Sequence, residues 1–271
     1  MLASFLLFLG SMAGIIILAR FALYEPAQRL ARTAGLSRSA TGQLLGYLTS
    51  APELVATIFV ATTGLFAVVS TNILGSNIIN VLLASVAALW FRQMRQITGR
   101  RFRWEIVVVA ASIVVPVALL ATGQGSAWWA AISFAAAYIA YLRFMRGRDE
   151  AGGPVAEADA TLPPRPAKTR TAFQIGTLIL GLVGLYLLGD LLGDSVRELG
   201  TAFAVPAVVL GVLTAVATSL PELTTFFASF AAHRRAGTDG TSEVIHNLMA
   251  SNVVNLLIVQ TVGIAVFQIT S

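Results

Sequence analysis

The sequence contains no cysteine among its 271 residues, so neither a disulfide framework nor a thiolate metal site is available to it. Charge is also scarce: charged residues make up 11% of the chain, against about 25% in soluble domains. No nucleophile and base pattern, metal-hydrolase motif or nucleotide-binding loop is present, which argues against an enzyme and leaves no cofactor to expect. The net charge of +5 is almost wholly arginine, but the arginines sit between apolar runs, which topology explains better than a nucleic-acid partner does.

Apolar residues are abundant, at 56% of the chain, with a mean hydropathy of +0.80. Eight apolar stretches, residues 2–24, 40–64, 66–91, 105–122, 127–142, 173–189, 202–232 and 244–268, approach or exceed the length of about 20 residues that crosses a bilayer. The first has no basic residue before it and is too long for a signal-peptide core, so it is expected to stay as an anchor. The fold class is therefore an all-α polytopic membrane protein of about eight transmembrane helices, with the lipid bilayer as its surroundings.

The basic residues fall on one side of these spans. Arg20, the first loop (Arg29, Arg32, Arg38), the third (Arg92 to Arg103), the fifth (Arg143 to Arg170) and the seventh (Arg234, Arg235) hold 17 of the 18, leaving only Arg197 opposite. The positive-inside rule then puts the odd-numbered loops in the cytoplasm and both termini outside. The loop Arg92 to Arg103, edged by Phe91, Phe102 and Trp104, reads as an interfacial anchor that favours anionic lipid. Asp190, Asp194 and Glu198 cluster on the external side, and no lysine or arginine is expected inside a span. Residues 146–172, rich in glycine, proline and mixed charge, are expected to form a flexible cytoplasmic linker between a first membrane half, 1–145, and a second, 173–271.

Two polar strings recur within the apolar runs. Thr49-Ser50-Ala51-Pro52-Glu53-Leu54 returns as Thr218-Ser219-Leu220-Pro221-Glu222-Leu223 at an offset of 169. Asn72-Ile73-Leu74-Gly75-Ser76-Asn77-Ile78-Ile79-Asn80 returns as Asn247-Leu248-Met249-Ala250-Ser251-Asn252-Val253-Val254-Asn255 at an offset of 175. The copies occupy about residues 40–84 and 205–260 and lie five spans apart, an odd number, so they cross the membrane in opposite directions. Inverted-topology repeats of this kind are an architecture of secondary transporters, which bind their substrate at the midplane where the repeats meet.

The repeated residues offer oxygen. A carboxylate inside a membrane helix costs roughly 2.5–3.5 kcal/mol on insertion scales and is a functional hypothesis by default; Glu53 and Glu222 each lie near the middle of a span. Pro52 and Pro221 cannot donate to the carbonyls of Leu48 and Ala217, which are freed for coordination. Asn72, Ser76 and Asn80 form a stripe at i, i+4, i+8, with Asn247, Ser251 and Asn255 as its counterpart. The candidate metal-ion ligands are Glu53, Glu222, Thr49, Ser50, Ser76, Asn80, Thr218, Ser219, Ser251 and Asn255, with Asn77 and Asn252 less favoured. Calcium takes six to eight such oxygens, with carboxylates among them. His246, beside Asn247, reads as an interfacial residue.

Thr-Ser-x-Pro-Glu-Leu followed by Gly-Ser-Asn-x-x-Asn, present twice in opposite orientation, resembles the alpha repeats of the sodium/calcium exchangers of the calcium/cation antiporter superfamily, in the form found in prokaryotic cell membranes. The resemblance implies a secondary antiporter that exchanges calcium for sodium by alternating access, with the ten residues above lining the sites of the transported ions. It departs at Asn80 and Asn255, one of which is usually aspartate in the family, at Ala250, which stands where a glycine is usual, and at Thr71 and His246, which also replace glycines. Family members usually have ten spans arranged as five plus five, so the eight here imply a short form, working alone or as a homo-oligomer, or a partner that replaces two helices. Two alternatives stay open: a proton/calcium antiporter, and an ion-binding subunit that transports only with a partner.

Overall fold

The computed structural model describes residues 2–34, 36, 38–150 and 168–271. The centre of the expected linker, 151–167, lies outside the described residues. Helix α1 (Leu2–Leu18) passes through a wide turn, Ala19–Tyr24, into α2 (Glu25–Thr33). There follow α3 (Arg38–Thr49), α4 (Ala51–Ala61), α5 (Phe66–Trp90), the short α6 (Met94–Ile97), α7 (Arg103–Ala121) and α8 (Trp128–Glu150), then α9 (Lys168–Thr201), α10 (Ala207–Thr218), α11 (Leu220–Ala236), α12 (Thr241–Val254) and α13 (Gln260–Thr270). Among the described residues there is no strand.

Among the described residues, seven continuous helical runs are long and apolar enough to cross a membrane: Leu2–Ala31, Ala40–Ala61, Phe66–Trp90, Arg100–Ala121, Thr171–Thr201, Ala207–Ala236 and Thr241–Thr270. The remaining expected span, 127–142, is helical within α8, which continues into the charged stretch Arg143 to Glu150. Helix α9 is 34 residues long, or about 51 Å at 1.5 Å per residue, far beyond the apolar run that marks it in the sequence. Asp190, Asp194 and Glu198 occupy exposed positions along its second half. One basic side chain does lie within an apolar helix. Arg20 sits in the wide turn of the first span, 3.8 Å from Glu25 and with its guanidinium 5.1 Å from the Tyr24 ring centroid, and this local pairing lets the helix carry it.

Small residues set the packing at the centre. Helix α3 lies against α12, where a methyl added to Gly46 would fall 2.6 Å from the carbonyl oxygen of Asn247 and 2.8 Å from the Ala250 Cβ. Helix α10 lies against α5 in the same way, with a methyl at Gly211 falling 2.6 Å from the Thr71 Cβ and one at Gly75 falling 2.8 Å from the Ala215 Cβ. Close approach of backbones through residues four apart, Gly42 and Gly46 or Gly211 and Ala215, is the usual way membrane helices gain contact without a hydrophobic driving force.

The register of these contacts gives the orientation of the repeats. Contacts advance along both helices together, from Gly42 at Glu243 to Gly46 at Asn247 and Ser50 at Ser251, so α3 and α12 run parallel. Gly211 at Val68, Ala215 at Gly75 and Thr218 at Ser76 make α10 and α5 parallel as well. Since α5 returns antiparallel to α3 and α4 after the turn at Thr62 to Leu65, α10 runs opposite to α3. The two copies are inverted, and each packs its first helix on the partner copy's second.

Candidate cation site

Both copies of the Thr-Ser-x-Pro-Glu-Leu string fall where a helix breaks. Helix α3 ends at Thr49 and α4 begins at Ala51, with Ser50 between them at φ −82°, ψ 0°. Helix α10 ends at Thr218 and α11 begins at Leu220, with Ser219 at φ −86°, ψ −4°. The sequence predicts freed carbonyls; the structure goes further, because one residue leaves the regular helix and the proline takes an early position in a new one, where its missing N–H costs nothing. Glu53 and Glu222 thereby enter the first turns of α4 and α11, at helix ends whose unpaired N–H groups favour negative charge.

All ten candidate ligands are buried, none more than 2% exposed, and the two glutamates are at 0%. Each glutamate faces the other repeat. The Glu53 carboxylate lies beside Thr218 and Ser219 and close enough to Glu222 for the two charges to repel. Glu222 lies beside Thr49 and accepts from the Ser251 hydroxyl at 3.2 Å. Ser251 is the centre of the polar contacts: its hydroxyl is 2.9 Å from that of Ser50 and accepts from the Asn80 amide nitrogen at 3.1 Å. Across the pseudo-two-fold, Ser76 and Thr218 hydroxyls are 3.5 Å apart.

Many of these atoms have no hydrogen-bond partner among the described residues. They include both Glu53 oxygens, Glu222 Oε2, Ser219 Oγ, Asn80 Oδ1 and both amide atoms of Asn255. Buried polar atoms are normally satisfied, and an ionised buried carboxylate without a counter-charge costs several kcal/mol. Among the described residues no lysine or arginine pairs with either glutamate. An oxygen-rich, net negative, buried cluster of this composition suits a hard cation. Only two carboxylates contribute, and among the described residues no group of three or more His, Cys, Asp or Glu could hold a metal ion.

Asn77 and Asn252 behave differently from the rest of the stripe. Asn77 donates to the Ser112 carbonyl at 2.9 Å, while Asn252 donates to the Asn77 carbonyl and the Ser112 hydroxyl, both at 3.2 Å. Asn252 in turn accepts from Asn80 at 3.2 Å. These two amides therefore brace the stripe instead of facing the glutamates, and Ser112 on α7, outside both repeats, is the brace that the sequence does not reveal. Thr57, one turn beyond Glu53, adds another buried hydroxyl without a partner. An i+4 polar residue on an apolar helix was the signal for it.

The two histidines pair with two further buried carboxylates. His233 Nε2 is 3.1 Å from Glu243, whose other oxygen accepts from Ser229 at 2.6 Å. His246 is buried against the protein: its side chain is 12% exposed, its Nε2 lies 3.9 Å from Glu105, and Phe102 packs edge-on against the ring.

The sequence matches the family described as sodium/calcium exchanger protein over residues 3–146 and 173–269. No curated protein matches the chain at a significant level. Among solved structures, the chain is similar to the sodium-calcium exchanger NCX_Mj soaked with 2.5 mM Na+ and 1 mM Sr2+ (TM-score 0.57, 21% identity, 96% of this chain and 82% of that one). It is similar to the same exchanger soaked with 100 mM Na+ and 10 mM Sr2+ (TM-score 0.56, 22% identity, again 96% and 82%). At such identity the likeness is one of fold.

Proposed function

Because this chain belongs to the sodium/calcium exchanger protein family and is an integral membrane protein of that fold, we propose that it is a secondary antiporter exchanging calcium for sodium. The observation that carries the reading is the pair of fully buried glutamates, one from each inverted repeat, with no basic partner and with hydroxyl and amide oxygens around them. One divalent ion neutralises two carboxylates. Sodium ions compete for the same oxygens, so loading with one species requires unloading of the other. Thr49, Ser50, Ser76, Asn80, Thr218, Ser219, Ser251 and Asn255 supply the neutral oxygens. Alternating access follows from rearrangement of the repeats about the breaks at Ser50 and Ser219, and residues 146–172 join the halves 1–145 and 173–271 as a cytoplasmic tether. The one-sided arginine distribution supports both termini lying outside the cell membrane, and an inward sodium gradient would drive calcium outward.

The test is calcium uptake by purified protein in liposomes under an imposed sodium gradient. Flux that depends on sodium and is abolished in Glu53→Gln and Glu222→Gln supports the reading; normal flux in both variants would sink it. Adjacent carboxylates without a basic partner could also trade a divalent ion for protons. A pH gradient without sodium, applied to the same liposomes, separates proton coupling from sodium coupling, and activity of the chain alone rules against a subunit that requires a partner.

A further inference from the structure

A cavity opens at the end of the molecule where the basic loops gather, remote in chemistry from the glutamate pair. Its volume is about 490 Å³. One wall is aromatic, formed by Trp90, Phe91 and Phe230, and the other carries Arg92, His233 and Arg234. No carboxylate lines it. The rings are packed as a unit, with Phe91 and Phe230 stacked at 5.6 Å and Phe227 filling the space behind Trp90 and Phe91.

The two arginines are the uncommitted charges of this cavity. Neither pairs with a carboxylate among the described residues. The acid in the neighbouring turn, Asp239, is taken by Arg101 and Thr241. His233 has both ring nitrogens engaged, Nδ1 with Thr238 at 2.8 Å and Nε2 with Glu243 at 3.1 Å. It therefore shapes the cavity and leaves Arg92 and Arg234 as the free donors. Arg92 is held at φ 59°, a left-handed conformation that disfavours residues with a side chain by roughly 1–2 kcal/mol. It is the position just past the end of α5, where Gln93 N–H donates back to the Ala88 carbonyl at 2.7 Å and a left-handed residue closes the helix.

We propose that this cavity binds a phosphate-bearing anion at the membrane surface. Two unpaired guanidiniums suit phosphate oxygens, to which arginine can donate in forked pairs. The aromatic wall suits the less polar remainder of a glycerophospholipid, and Trp90, 72% exposed, stands where tryptophans anchor at a bilayer interface. Occupancy would reach the transport site through a short chain of contacts. His233 bridges to Glu243 in the first turn of α12, the helix that carries Asn247 and Ser251. The binding proposal itself does not depend on the transport reading.

The experiment is thermal stabilisation of the purified protein in detergent by dioctanoyl phosphatidylglycerol, by inorganic phosphate and by dioctanoyl phosphatidylcholine. The variants are Arg92→Asn with Arg234→Gln, asparagine being chosen because it tolerates the left-handed backbone, and a control pair at exposed positions outside the cavity, Arg95→Gln with Arg103→Gln. Stabilisation by phosphatidylglycerol, weakened roughly tenfold or more in apparent affinity by the cavity pair and unchanged in the control pair, supports the site with lipid as its source. The same variant pattern with inorganic phosphate supports it with a soluble anion as its source. Equal losses in both variant pairs, or no stabilisation of wild type beyond that by phosphatidylcholine, overturns the proposal. Should the double variant fail to fold, Arg92→Asn and Arg234→Gln are read singly by the same criteria.

Discussion

The absent side chain of Gly75 is replaced by the methyl group of Ala215, which would stand 2.8 Å from any Cβ added there. At the pseudo-symmetric crossing the roles are exchanged, with Gly46 on the first helix facing Ala250 on the second. At this position each crossing thus pairs one glycine with one alanine. Ala250, unusual in sequence, is accommodated because Gly46 makes room for it.

This arrangement gives a clean swap. Gly75→Ala is expected to lower stability by about 1–3 kcal/mol, the usual cost of overpacking, and to lower the melting temperature in detergent. Adding Ala215→Gly should return it towards wild type. A double variant no more stable than the single one would refute the packing account.

Ser251 and Ser76 are equivalent by sequence but not by contacts. Ser251 touches Ser50, Asn80 and Glu222, whereas Ser76 has a 3.5 Å contact with Thr218. Ser251→Ala should therefore raise the KM for calcium about tenfold, one charge-assisted hydrogen bond being worth about 1.5–3 kcal/mol. Ser76→Ala should raise it less. Flux measured over a range of calcium concentrations decides between them.

Asn80 and Asn255 should respond differently to aspartate. Asn80 donates to Ser251 and to Asn252, so Asn80→Asp loses both bonds and sets two acceptors against each other. Neither amide atom of Asn255 has a partner, so Asn255→Asp sacrifices no hydrogen bond and adds a third carboxylate. Calcium affinity in Asn255→Asp is expected to exceed wild type in alkaline buffer and to fall back towards it on acidification. Calcium binding by isothermal titration across pH would reveal either pattern.

At the loop between α11 and α12, partial burial pushes the Asp239 carboxyl up. Hydrogen bonds from Thr241 and the Arg101 guanidinium outweigh that effect and hold it below the usual range. A depressed folded-state value means a contribution to stability that is present at neutral pH and lost as pH falls through the folded value, below about 3.9. Asp239→Asn should therefore cost stability at pH 7, by under about 1 kcal/mol for so exposed a pair, and nothing once Asp239 is protonated. Melting temperatures of both proteins from pH 7 downwards test the sign.

How much of this could be read in the sequence depends on how costly each feature is in an apolar setting. Glu53 and Glu222 are conspicuous because a carboxylate is expensive there, and the return of both polar strings in the same order marks a duplication. Proline announces a disturbance at Ser50 and Ser219, but not that one residue leaves each helix, because that depends on what packs around it. Gly42 and Gly211 share the 169-residue offset of the motif, yet their purpose appears only with the partner helix in view. Ser112 lies outside both repeats and has no counterpart, so nothing in the pattern singles it out. The pairing of Glu105 with His246 spans 141 residues of chain and likewise awaits the fold.

The crossed packing of the repeats bears on what a severed chain could do. If the backbone were cut between α8 and α9, the first piece would keep Glu53 but lose Thr218 and Ser219, and the second would keep Glu222 but lose Thr49. Neither piece would own a whole coordination shell. Binding would return only on reassembly, so co-expressed halves would form a complementation assay in which recovered ion binding reports directly on docking between them.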